Sequence, residues 1–520
     1  MTRTIKLQHT EIAGCIFIDK IAGLNTHTPD HGKRGLVEIY SEELDRKLYV
    51  VHRLDKGTSG AIVFATSTEV ATELTKLFEQ HLVQKRYLFI TDKKSSKNEF
   101  TYESFIEKEK NQFVSSQDKP ANSKTAFKKL KSLKNYDLWE ATPFSGKPHQ
   151  IRLHAEANGI AILGDKDHNG SPFFRLCLHS LSLDFELKSQ KVSFRTQDPA
   201  WAVEDNLELP VEDLMLLEAV QRRERMWDMK TLSQESLRLS HREIDSYRID
   251  QYGDTLWVYW YKDIDPNEAD LERFARLGKK LNKKIFVRKM LNRGDNPNEE
   301  VLWKIGDTQE KWSAKENGVN YELRSDTGLS PGLFLDQREN RLWIKAHAED
   351  KRVLNLFSYT SGFSVVSALG GAQEVCTVDV SQNFIEWSKK NFQLNNLDPE
   401  NYEFFVSDCL VFLKGTVRRK RKFNLIICDP PSFGRSKNGV FSISKNFEEL
   451  ILNCLMCLEK NGLLLFCTNY EKWETSDIHL KLNKLKSQFS FKILDAPSQG
   501  LDFELPDEEP LMKSIVIRKN

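Results

Sequence analysis

The sequence has 520 residues, which is longer than one ordinary domain, so we expect two to four domains. Its hydrophobic fraction of 39%, charged fraction of 29% and mean hydropathy of -0.52 are typical of a globular chain with real cores. The net charge of +1 excludes nucleic-acid binding through bulk charge and leaves only local patches for it. No apolar run reaches the length of a membrane span, and the first residues lack a signal-peptide core, so we expect a cytoplasmic protein.

A candidate nucleophile lies in the stretch Val51-His52-Arg53-Leu54-Asp55-Lys56-Gly57-Thr58-Ser59-Gly60. Apolar runs at 48–51 and 61–64 flank it, a pattern that predicts strand, turn and strand. An acid held at such a turn, with Arg53 beside it, can serve as a nucleophile. The alternative is that Asp55 only hydrogen-bonds its own turn.

The same stretch resembles the H-R-L-D-x-x-T-S-G signature of the RluA-type pseudouridine synthases. The resemblance starts at 14–35, an opening strand and loop in which Ile21 replaces the family's usual proline. It implies a mixed α+β domain with an antiparallel sheet over residues 1–200. It also implies that Asp55 attacks a flipped-out uridine, at C1′ or at C6, and that this domain needs no cofactor.

The next predicted elements are a helix over 70–78 and a strand over 85–90. The family resemblance places Tyr87, on this strand, against the target base. An ordinary half-buried strand tyrosine is the alternative. Residues 93–134 are rich in lysine, which is typical of a solvated face, with phosphate contacts as the alternative.

A second signature, Gly146-Lys147-Pro148-His149-Gln150-Ile151-Arg152-Leu153-His154, is followed by a Gly164-Asp165 pair and an R-L-x-L-H block at 175–179. These match the family's blocks in order. The resemblance implies that Arg152 either pairs with Asp55 or enters the space that a flipped base leaves, and that Arg53 contacts the substrate. The H-x-x-x-x-H spacing does not fit a helical zinc pair, so we expect structural histidines and no metal.

Residues 201–320 are predicted to form a helical connector and a small α/β extension. Leucines and arginines alternate around Leu214–Met226 as in an amphipathic helix. Strands at 246–250, 255–261 and 284–288 surround a helix at 267–281. The aromatic run 257–261 is interpreted as two faces of one strand, with RNA stacking as the alternative.

From about residue 321 strands and helices alternate, which predicts a Rossmann-like parallel sheet and makes the whole chain an α/β multidomain protein. Asp379 ends the second of these strands, where an acid can bind ribose hydroxyls. The sequence has no G-x-G-x-x-G and no lysine-bearing phosphate loop. An adenosine without phosphates therefore fits best, and S-adenosylmethionine is the predicted cofactor.

The blocks at 332–338, 355–362 and 429–433 together resemble the class I rRNA methyltransferases of the RlmI/RlmK group over residues 240–520. The resemblance implies that Asp379 holds the ribose and Asp408 the adenine amino group, with the methionine part at 357–362. It also implies that Pro430, Pro431 and Phe433 line the wall for the target base. The residues expected at the cofactor are Asn355, Phe357, Ser358, Tyr359, Thr360, Gly362, Asp379, Asp408 and Asp429.

The methylated base is predicted from strand 463–469. Cytosine-C5 relatives carry a nucleophilic cysteine where this chain has Thr468, and Cys467 lies one residue early. Guanine N7 needs no enzyme nucleophile, and the run from Asp429 to Lys437 also resembles the guanine-N7 group. We therefore favour guanine N7, with cytosine C5 as the alternative. The basic run 418–422 is interpreted as a phosphate contact, against the alternative of solvated charge.

The eight cysteines lie mostly in apolar runs and are expected to be reduced core residues, including the Cys454–Cys457 C-x-x-C. The combined prediction is a bifunctional RNA-modification enzyme, a pseudouridine synthase (an isomerase) joined to an RNA methyltransferase. The expected partner is RNA, most of all 23S rRNA, with tRNA open for the first half and no protein partner evident. A glycosidase is disfavoured because no second acid is placed by a motif. A rival class is an RNA-binding assembly protein with vestigial sites.

Overall fold

A computed structural model of the protein describes residues 6–28, 34–110, 112–206, 209–229, 232–290, 302–326, 330–436, 439–503 and 510–520. Lys437 and the first five residues, which entered the sequence predictions, lie outside them. The chain divides into two compact units, Ile5–Leu232 and Ser233–Asn520. The three-domain division with boundaries at 200 and 320 stays a prediction.

The unit Ile5–Leu232 is built mainly from β-strands. Its elements are β1 (Thr10–Ile12), β2 (Cys15–Lys20), α1 (Leu36–Glu43), β3 (Tyr49–Val50), β4 (Ser59–Ala65), α2 (Thr68–Glu79), β5 (Gln84–Thr91), β6 (Glu99–Glu109), β7 (Gln112–Ser116), β8 (Ser123–Ser132), β9 (Asp137–Pro143), α3 (Gln150–Ala157), β10 (Leu178–Leu187), β11 (Gln190–Arg195) and α4 (Val211–Met226).

These strands form one mixed sheet in the order β1-β2-β4-β10-β5-β9-β8-β6-β7, with β3 on β4 and β11 on β10. The pairing of β4 with β10 is parallel, and the pairs on either side of it are antiparallel. The two strands approach closely at Gly60, where a Cβ would lie 2.1 Å from the Ser180 carbonyl oxygen. Only glycine permits this approach at φ 108°. The contact fixes the start of β4, directly after the predicted nucleophile Asp55.

The first part of the unit Ser233–Asn520 is a small α/β layer. Its elements are β12 (Ser236–Ser240), β13 (Tyr247–Tyr252), β14 (Thr255–Trp260), α5 (Glu268–Leu281), β15 (Lys284–Lys289), β16 (Leu302–Ile305), β17 (Lys311–Glu316) and β18 (Val319–Arg324).

Strands β12 to β16 form a five-stranded sheet in chain order, in which α5 crosses between the parallel strands β14 and β15. Trp257, Tyr259 and Trp260 are buried on the two faces of β14, as the strand interpretation requires. Tyr252, Trp257 and Phe286 of this sheet share one apolar core with residues of the sheet that follows.

The rest of this unit alternates helices and strands. Its elements are α6 (Arg338–His347), β19 (Arg352–Leu356), α7 (Gly362–Leu369), β20 (Glu374–Asp379), α8 (Gln382–Gln393), β21 (Glu403–Val406), α9 (Cys409–Arg418), β22 (Phe423–Cys428), β23 (Phe433–Ser436), β24 (Gly439–Ser442), α10 (Ile443–Cys457), β25 (Leu458–Thr468), α11 (Thr475–Leu485), β26 (Phe491–Leu494) and β27 (Lys513–Lys519).

The main sheet has the order β21-β20-β19-β22-β25-β27-β26. The strands from β21 to β25 are parallel, and β27 and β26 are added antiparallel. Because parallel strands end at one edge, the loops after β19, β20, β21 and β22 meet there. The predicted cofactor residues lie in these loops.

The same coordinates describe three general features of the chain. The eight cysteines are free and buried, as the sequence predicted. Within the described ranges, no helix is long and apolar enough to cross a membrane. Among those same residues, no cluster of His, Cys, Asp and Glu is arranged to hold a metal ion.

Candidate active sites

Asp55 lies in the loop between β3 and β4, and its backbone is fixed on both sides. The amide of Thr58 donates to the Asp55 carbonyl at 3.0 Å, which closes a turn directly after the acid. The Thr26 hydroxyl donates to the Leu54 carbonyl at 3.2 Å and accepts from the Leu54 amide at 3.3 Å. The Asp55 side chain is 33% exposed. The acid is therefore held in place while it stays open to a ligand.

Lys20, at the end of β2, forms hydrogen bonds to this loop. Its buried Nζ donates to the carbonyl oxygens of Thr58 at 2.7 Å, Ile21 at 3.1 Å and Lys56 at 3.2 Å. Burial lowers the pKa of Lys20 to about 7, although the charge of Asp55 raises it. The sequence analysis gave Lys20 no role. The charged pair Asp19-Lys20 at the end of an apolar strand was the signal that could have found it.

Arg152, on α3, reaches Asp55, and Nη1 lies 3.5 Å from Oδ2. The same guanidinium donates to both oxygens of the buried Asp165, from Nε at 2.7 Å and from Nη2 at 2.5 Å. Nη2 also donates to Asp167 Oδ2 at 2.7 Å. Burial lowers the pKa of Arg152, but the bonds to Asp165 outweigh it and hold the pKa above its usual value. Of the two roles expected for Arg152, pairing with Asp55 is the one that matches this geometry.

Tyr87 is a buried residue of β5 and belongs to the same site. It pairs in register with Ser180 on β10. Burial raises the pKa of Tyr87 to about 12; the charge of Asp55 adds to this rise and a hydrogen bond with Ser180 opposes it. The phenol therefore lies within range of the Asp55 carboxylate and stays protonated at neutral pH. Arg53 is exposed, two residues from the acid.

Two histidines of the second signature form a chain that the sequence analysis did not assign. His149 Nδ1 lies 3.0 Å from His168 Nε2, and His168 Nδ1 lies 3.3 Å from Glu156 Oε2. Burial lowers the pKa of the His149 imidazole. The ring nitrogens of His154 and His179 instead lie 2.8 to 3.1 Å from buried hydroxyl groups, which fits the structural role that was expected of these residues.

In the second unit, the turn after β19 has an unusual backbone. Phe357, Tyr359 and Ser361 have φ angles of 55°, 49° and 65°, in the left-handed region. Residues with side chains persist there only where their surroundings fix them. Here the Phe357 amide donates to Cys409 Sγ at 3.2 Å and the Tyr359 amide to Asp379 Oδ2 at 2.9 Å. The strained turn is thus tied to the ends of the neighbouring strands.

Asp379 and Ser358 lie side by side at this edge. The Ser358 amide donates to the Val378 carbonyl at 3.1 Å, and the Ser381 amide donates to Asp379 Oδ1 at 2.9 Å. Burial raises the pKa of Asp379. The hydroxyl of Ser358 is buried and has no hydrogen-bond partner among the described residues. A carboxylate and an unpartnered hydroxyl at a strand end fit a ligand that carries hydroxyl and amino groups, such as S-adenosylmethionine.

Asp408 follows β21 and caps α9. Its Oδ1 accepts from the amides of Leu410 at 3.0 Å and Val411 at 3.2 Å. Three exposed valines surround the ends of β20 and β21 and the start of α9. Apolar side chains at these positions suit a flat base such as adenine. The valines are Val380, Val406 and Val411.

Three of the predicted cofactor residues lie beneath the loop. Asn355, buried in β19, donates to Ser364 Oγ at 2.9 Å. The hydroxyl of Thr360 donates to the Gly332 carbonyl at 2.5 Å. Gly362 begins α7, and a Cβ there would lie 3.3 Å from Arg341 Cδ. The side chains of Asn355 and Thr360 thus hydrogen-bond within the fold, and Gly362 leaves room for Arg341.

Asp429 ends the central strand β22. Gln337 Nε2 donates to Asp429 Oδ2 at 2.8 Å. Burial raises the pKa of Asp429 to about 7; the charge of Asp336 raises it further, and the bond from Gln337 lowers it. Gln337 was part of the sequence motif but had no predicted role. Beyond Asp429 and the buried Pro430, the side chains of Pro431 and Phe433 are exposed, as a base-binding wall requires.

Cys467 and Thr468 both lie in β25 and are fully buried. Cys467 Sγ accepts from Asn340 Nδ2 at 3.4 Å and lies 3.8 Å from Ser514 Oγ. Burial and the charge of Asp429 raise the pKa of this thiol well above its usual value. The Thr468 hydroxyl accepts from the Tyr470 amide at 3.2 Å. A buried thiol with a raised pKa is not a prepared nucleophile.

The basic run 418–422 lies at the end of α9 and before β22, so it belongs to the edge opposite Asp429. Arg421 pairs with Glu403 at 2.7 Å and with Glu374 at 3.4 Å, and Lys422 donates to the Met456 carbonyl. Part of this run is therefore engaged within the fold, and the predicted phosphate contact does not lie at the cofactor edge.

Two protein families match separate parts of the chain. Residues 14–157 match the RNA pseudouridylate synthase family, and residues 257–500 match the S-adenosylmethionine-dependent methyltransferase family. The first range contains Asp55, Tyr87 and Arg152, and the second contains Asp379, Asp408 and Asp429. The expected combination of the two enzyme types and the α/β multidomain fold are confirmed.

Curated relatives and a solved structure agree with the second match. Ribosomal RNA large subunit methyltransferase K of Neisseria meningitidis is 34% identical over 202 residues, 38% of this chain and 55% of the relative. Methyltransferase K/L of Psychrobacter cryohalolentis is 32% identical over 287 residues, 52% of this chain and 35% of the relative. The chain spans about a third to a half of the length of these relatives. A crystal structure of a methyltransferase complexed with SAH is 26% identical and has a TM-score of 0.53; the match covers 65% of this chain and 88% of that one.

Proposed function

The chain joins an RNA pseudouridylate synthase domain to an S-adenosylmethionine-dependent methyltransferase domain, and from this premise we propose that it carries out two modifications of RNA. It converts a uridine to pseudouridine and methylates a second base. The observation that supports this most directly is the contact between Asp55 and Arg152 in the first unit, where Oδ2 and Nη1 lie 3.5 Å apart. The relatives of the second domain are named as methyltransferases of large-subunit rRNA, so 23S rRNA is the proposed substrate and the cytoplasm the proposed compartment.

In the synthase domain, the proposed reaction starts once the uridine leaves the base stack. The Asp55 carboxylate attacks the nucleotide, at C1′ or at C6. The C1′–N1 bond breaks, the uracil turns within the pocket, and a C1′–C5 bond forms. The bond between Asp55 and the nucleotide breaks, C5 loses its proton, and N1 gains one. Uracil leaves and returns within one pocket, so no cofactor is proposed for this domain.

The supporting residues have separate roles in this scheme. Arg152 holds the Asp55 side chain in position, because its own guanidinium is fixed by the two bonds to Asp165. Tyr87, on β5, is proposed to pack against the uracil as it turns. Arg53, exposed beside the loop, contacts the RNA.

In the methyltransferase domain, Asp379 is proposed to hold the ribose hydroxyls. The buried Ser358 hydroxyl and the turn 357–362 are proposed to bind the methionine part, and Asp408 with the exposed valines the adenine. When bound, S-adenosylmethionine supplies an electrophilic methyl group. The chain's own contribution is to orient the acceptor base, because in-line displacement depends on positioning. Pro431 and Phe433 line the wall for that base.

Guanine N7 is the proposed methyl acceptor. Its lone pair is nucleophilic without help from the enzyme, whereas cytosine C5 needs a thiolate to add at C6. The buried Cys467 with its raised pKa supports the guanine proposal. Methylation at cytosine C5 is the alternative.

The test uses the full chain with 23S rRNA from cells that lack the protein, in the presence of S-adenosylmethionine. We expect one new pseudouridine by chemical mapping and one new 7-methylguanosine by nucleoside mass spectrometry. A tRNA arm tests the alternative substrate of the first domain. RNA binding without either product would favour the rival class, an assembly protein with vestigial sites.

A further inference from the structure

Residues 330–334, before α6, form a backbone segment that is held at every carbonyl group. Gly332, at φ 134°, packs so closely that a Cβ would lie 2.5 Å from Trp387 Cζ2. Tyr359 Oη donates to the Ser330 carbonyl at 3.1 Å, Arg324 N to that of Pro331 at 2.8 Å, and Thr360 Oγ1 to that of Gly332 at 2.5 Å. Tyr252 Oη donates to the Leu333 carbonyl at 2.7 Å, and Arg341 Nη2 to that of Phe334 at 2.7 Å.

Residues 330–334 expose one aromatic side chain to solvent. Phe334 is 47% exposed, whereas its neighbours Leu333 and Leu335 are each 2% exposed. A single exposed apolar residue is ordinary on a protein surface. Phe334 differs because two residues of the predicted cofactor turn, Tyr359 and Thr360, donate hydrogen bonds to the segment that carries it. Its ring centroid lies 5.3 Å from that of Tyr359, at an angle of 45°.

A residue shortly after this segment contacts Asp429, which precedes the wall predicted for the acceptor base. Gln337, three residues after Phe334, donates to Asp429 Oδ2 at 2.8 Å. Phe433, four residues after Asp429, is 43% exposed. Each partner of the Gln337–Asp429 hydrogen bond thus lies three or four residues along the chain from an exposed phenylalanine. One of these phenylalanines, Phe334, also contacts the turn predicted to bind the methionine part of the cofactor.

We propose that Phe334 is the stacking platform for the nucleobase that is methylated. A base taken out of its stack loses its neighbours, and an aromatic ring replaces part of that interaction. A rigid backbone adds to the effect because little order has to be gained on binding. The proposal rests on the methyltransferase function proposed above, and it assigns to this site an RNA nucleobase as the ligand of Phe334.

Kinetics provide the first test. Phe334→Ala should raise the KM for the RNA about ten-fold, the loss expected for one base–aromatic stack. The Kd for S-adenosylmethionine should be unchanged, and Phe334→Trp should restore the KM. Leu480→Ala is the control, since Leu480, on α11, is a 64% exposed apolar residue of the same unit. A weaker cofactor Kd with an unchanged RNA KM would overturn the proposal.

Photo-crosslinking separates this proposal from the proposed function. A benzoyl-phenylalanine at position 334 of the full chain should crosslink to 23S rRNA, while the same group at position 480 should not. Absence of the crosslink at 334, with methylation by the wild-type chain intact, overturns the stacking role alone. A crosslink at 334 without any methyl transfer by the wild-type chain retains the RNA contact and overturns the proposed methylation.

Discussion

Arg152 Nη1 lies 3.5 Å from Asp55 Oδ2, and the same guanidinium is bound by two further carboxylates, Asp165 and Asp167. Asp165 is buried, so its two bonds fix where the guanidinium lies. Asp167 is largely exposed and contributes a single oxygen. Asp55 is the member of this set that sits in the motif turn with an open side. We therefore expect substitutions of these carboxylates to affect pseudouridine formation differently.

The first prediction concerns Asp55→Asn. Pseudouridine formation should fall at least about 1,000-fold, because an amide is not a nucleophile. Folding should change by less than about 1 kcal/mol, because the partly exposed Asp55 is only one of three acids around Arg152. Chemical mapping of pseudouridine measures the first effect and urea denaturation the second.

Asp167→Asn is the matched control for Asp55→Asn. It also removes a carboxylate from Arg152, at 2.7 Å, but leaves Asp55 in place. It should retain most of the pseudouridine yield. Equal losses in the two variants would mean that Asp55 acts only through Arg152, and a normal yield from Asp55→Asn would reject the nucleophile assignment.

The second prediction concerns Lys20 and pH. Burial lowers its pKa in the folded chain from 10.5 to about 7, although the charge of Asp55 raises it. Between these values the unfolded chain binds more protons than the folded one, so the Lys20 contribution to the free energy of unfolding increases as pH rises. The increase is at most about 1.4 kcal/mol per pH unit. We expect the Lys20→Met variant to lack this increase in the free energy of unfolding.

The measurement is urea denaturation at several pH values from 6 to 10. Lys85→Met is the comparison, because burial lowers the pKa of Lys85 only to about 8. The Lys20→Met profile should diverge from wild type above pH 7, and the Lys85→Met profile only above pH 8. Parallel profiles for wild type and Lys20→Met would contradict a buried Lys20 with a lowered pKa.

The sequence predicted those elements whose signal is local. The strand–turn–strand around Asp55 and the aromatic strand at 255–260 follow from alternation and turn residues, and both are observed. The helix predicted around Leu214–Met226 is observed as α4, Val211–Met226. The loops after β20, β21 and β22 meet at one edge because parallel strands all end there, so Asp379, Asp408 and Asp429 were predictable as a set.

What the sequence did not predict depends on contacts between distant residues. Lys20 acts on a carbonyl 38 residues away, at Thr58, and Gln337 binds an acid 92 residues away, at Asp429. The lysine-rich stretch is a similar case. Lys124 pairs across strands with Glu103, and Lys128 lies opposite Glu99 and Glu140. The register between neighbouring strands determines these pairs, and the number of lysines in the sequence gives no information about that register.

The third prediction concerns the cofactor. Asp379→Ala should weaken S-adenosylmethionine binding by about 1–3 kcal/mol, because a buried charged hydrogen-bond acceptor is lost. The same change frees the amide of Tyr359, which donates to Asp379 at 2.9 Å, so the strained turn loosens as well. Calorimetry on the full chain measures the affinity.

Asp398→Ala is the control for Asp379→Ala. Asp398 also accepts a backbone amide, that of Glu400 at 3.1 Å, but it is exposed and ends no strand of the main sheet. Its loss should leave the affinity for S-adenosylmethionine unchanged. Unchanged affinity in Asp379→Ala would reject the ribose assignment. Equal weakening of the affinity in both variants would mean that the Asp379→Ala effect comes from a general loss of stability.

The last prediction concerns the methylated base. A cytosine-C5 enzyme needs a thiolate that adds at C6 before the ring carbon can take the methyl group, whereas guanine N7 needs only a pocket that aims its lone pair. Cys467 is fully buried and accepts from Asn340, and burial raises its pKa, so it is held as a thiol. Cys467→Ser should therefore retain substantial methylation, and the product should be 7-methylguanosine.

Cys376→Ser separates chemistry from packing in this test, because Cys376 is an equally buried thiol on β20 of the same sheet. Any loss of activity that comes only from placing a hydroxyl in the core should be of similar size in the two variants. Mass spectrometry of the RNA nucleosides identifies the product. If the product is 5-methylcytidine, and it disappears in Cys467→Ser but persists in Cys376→Ser, then Cys467 is a nucleophile and the acceptor is cytosine C5.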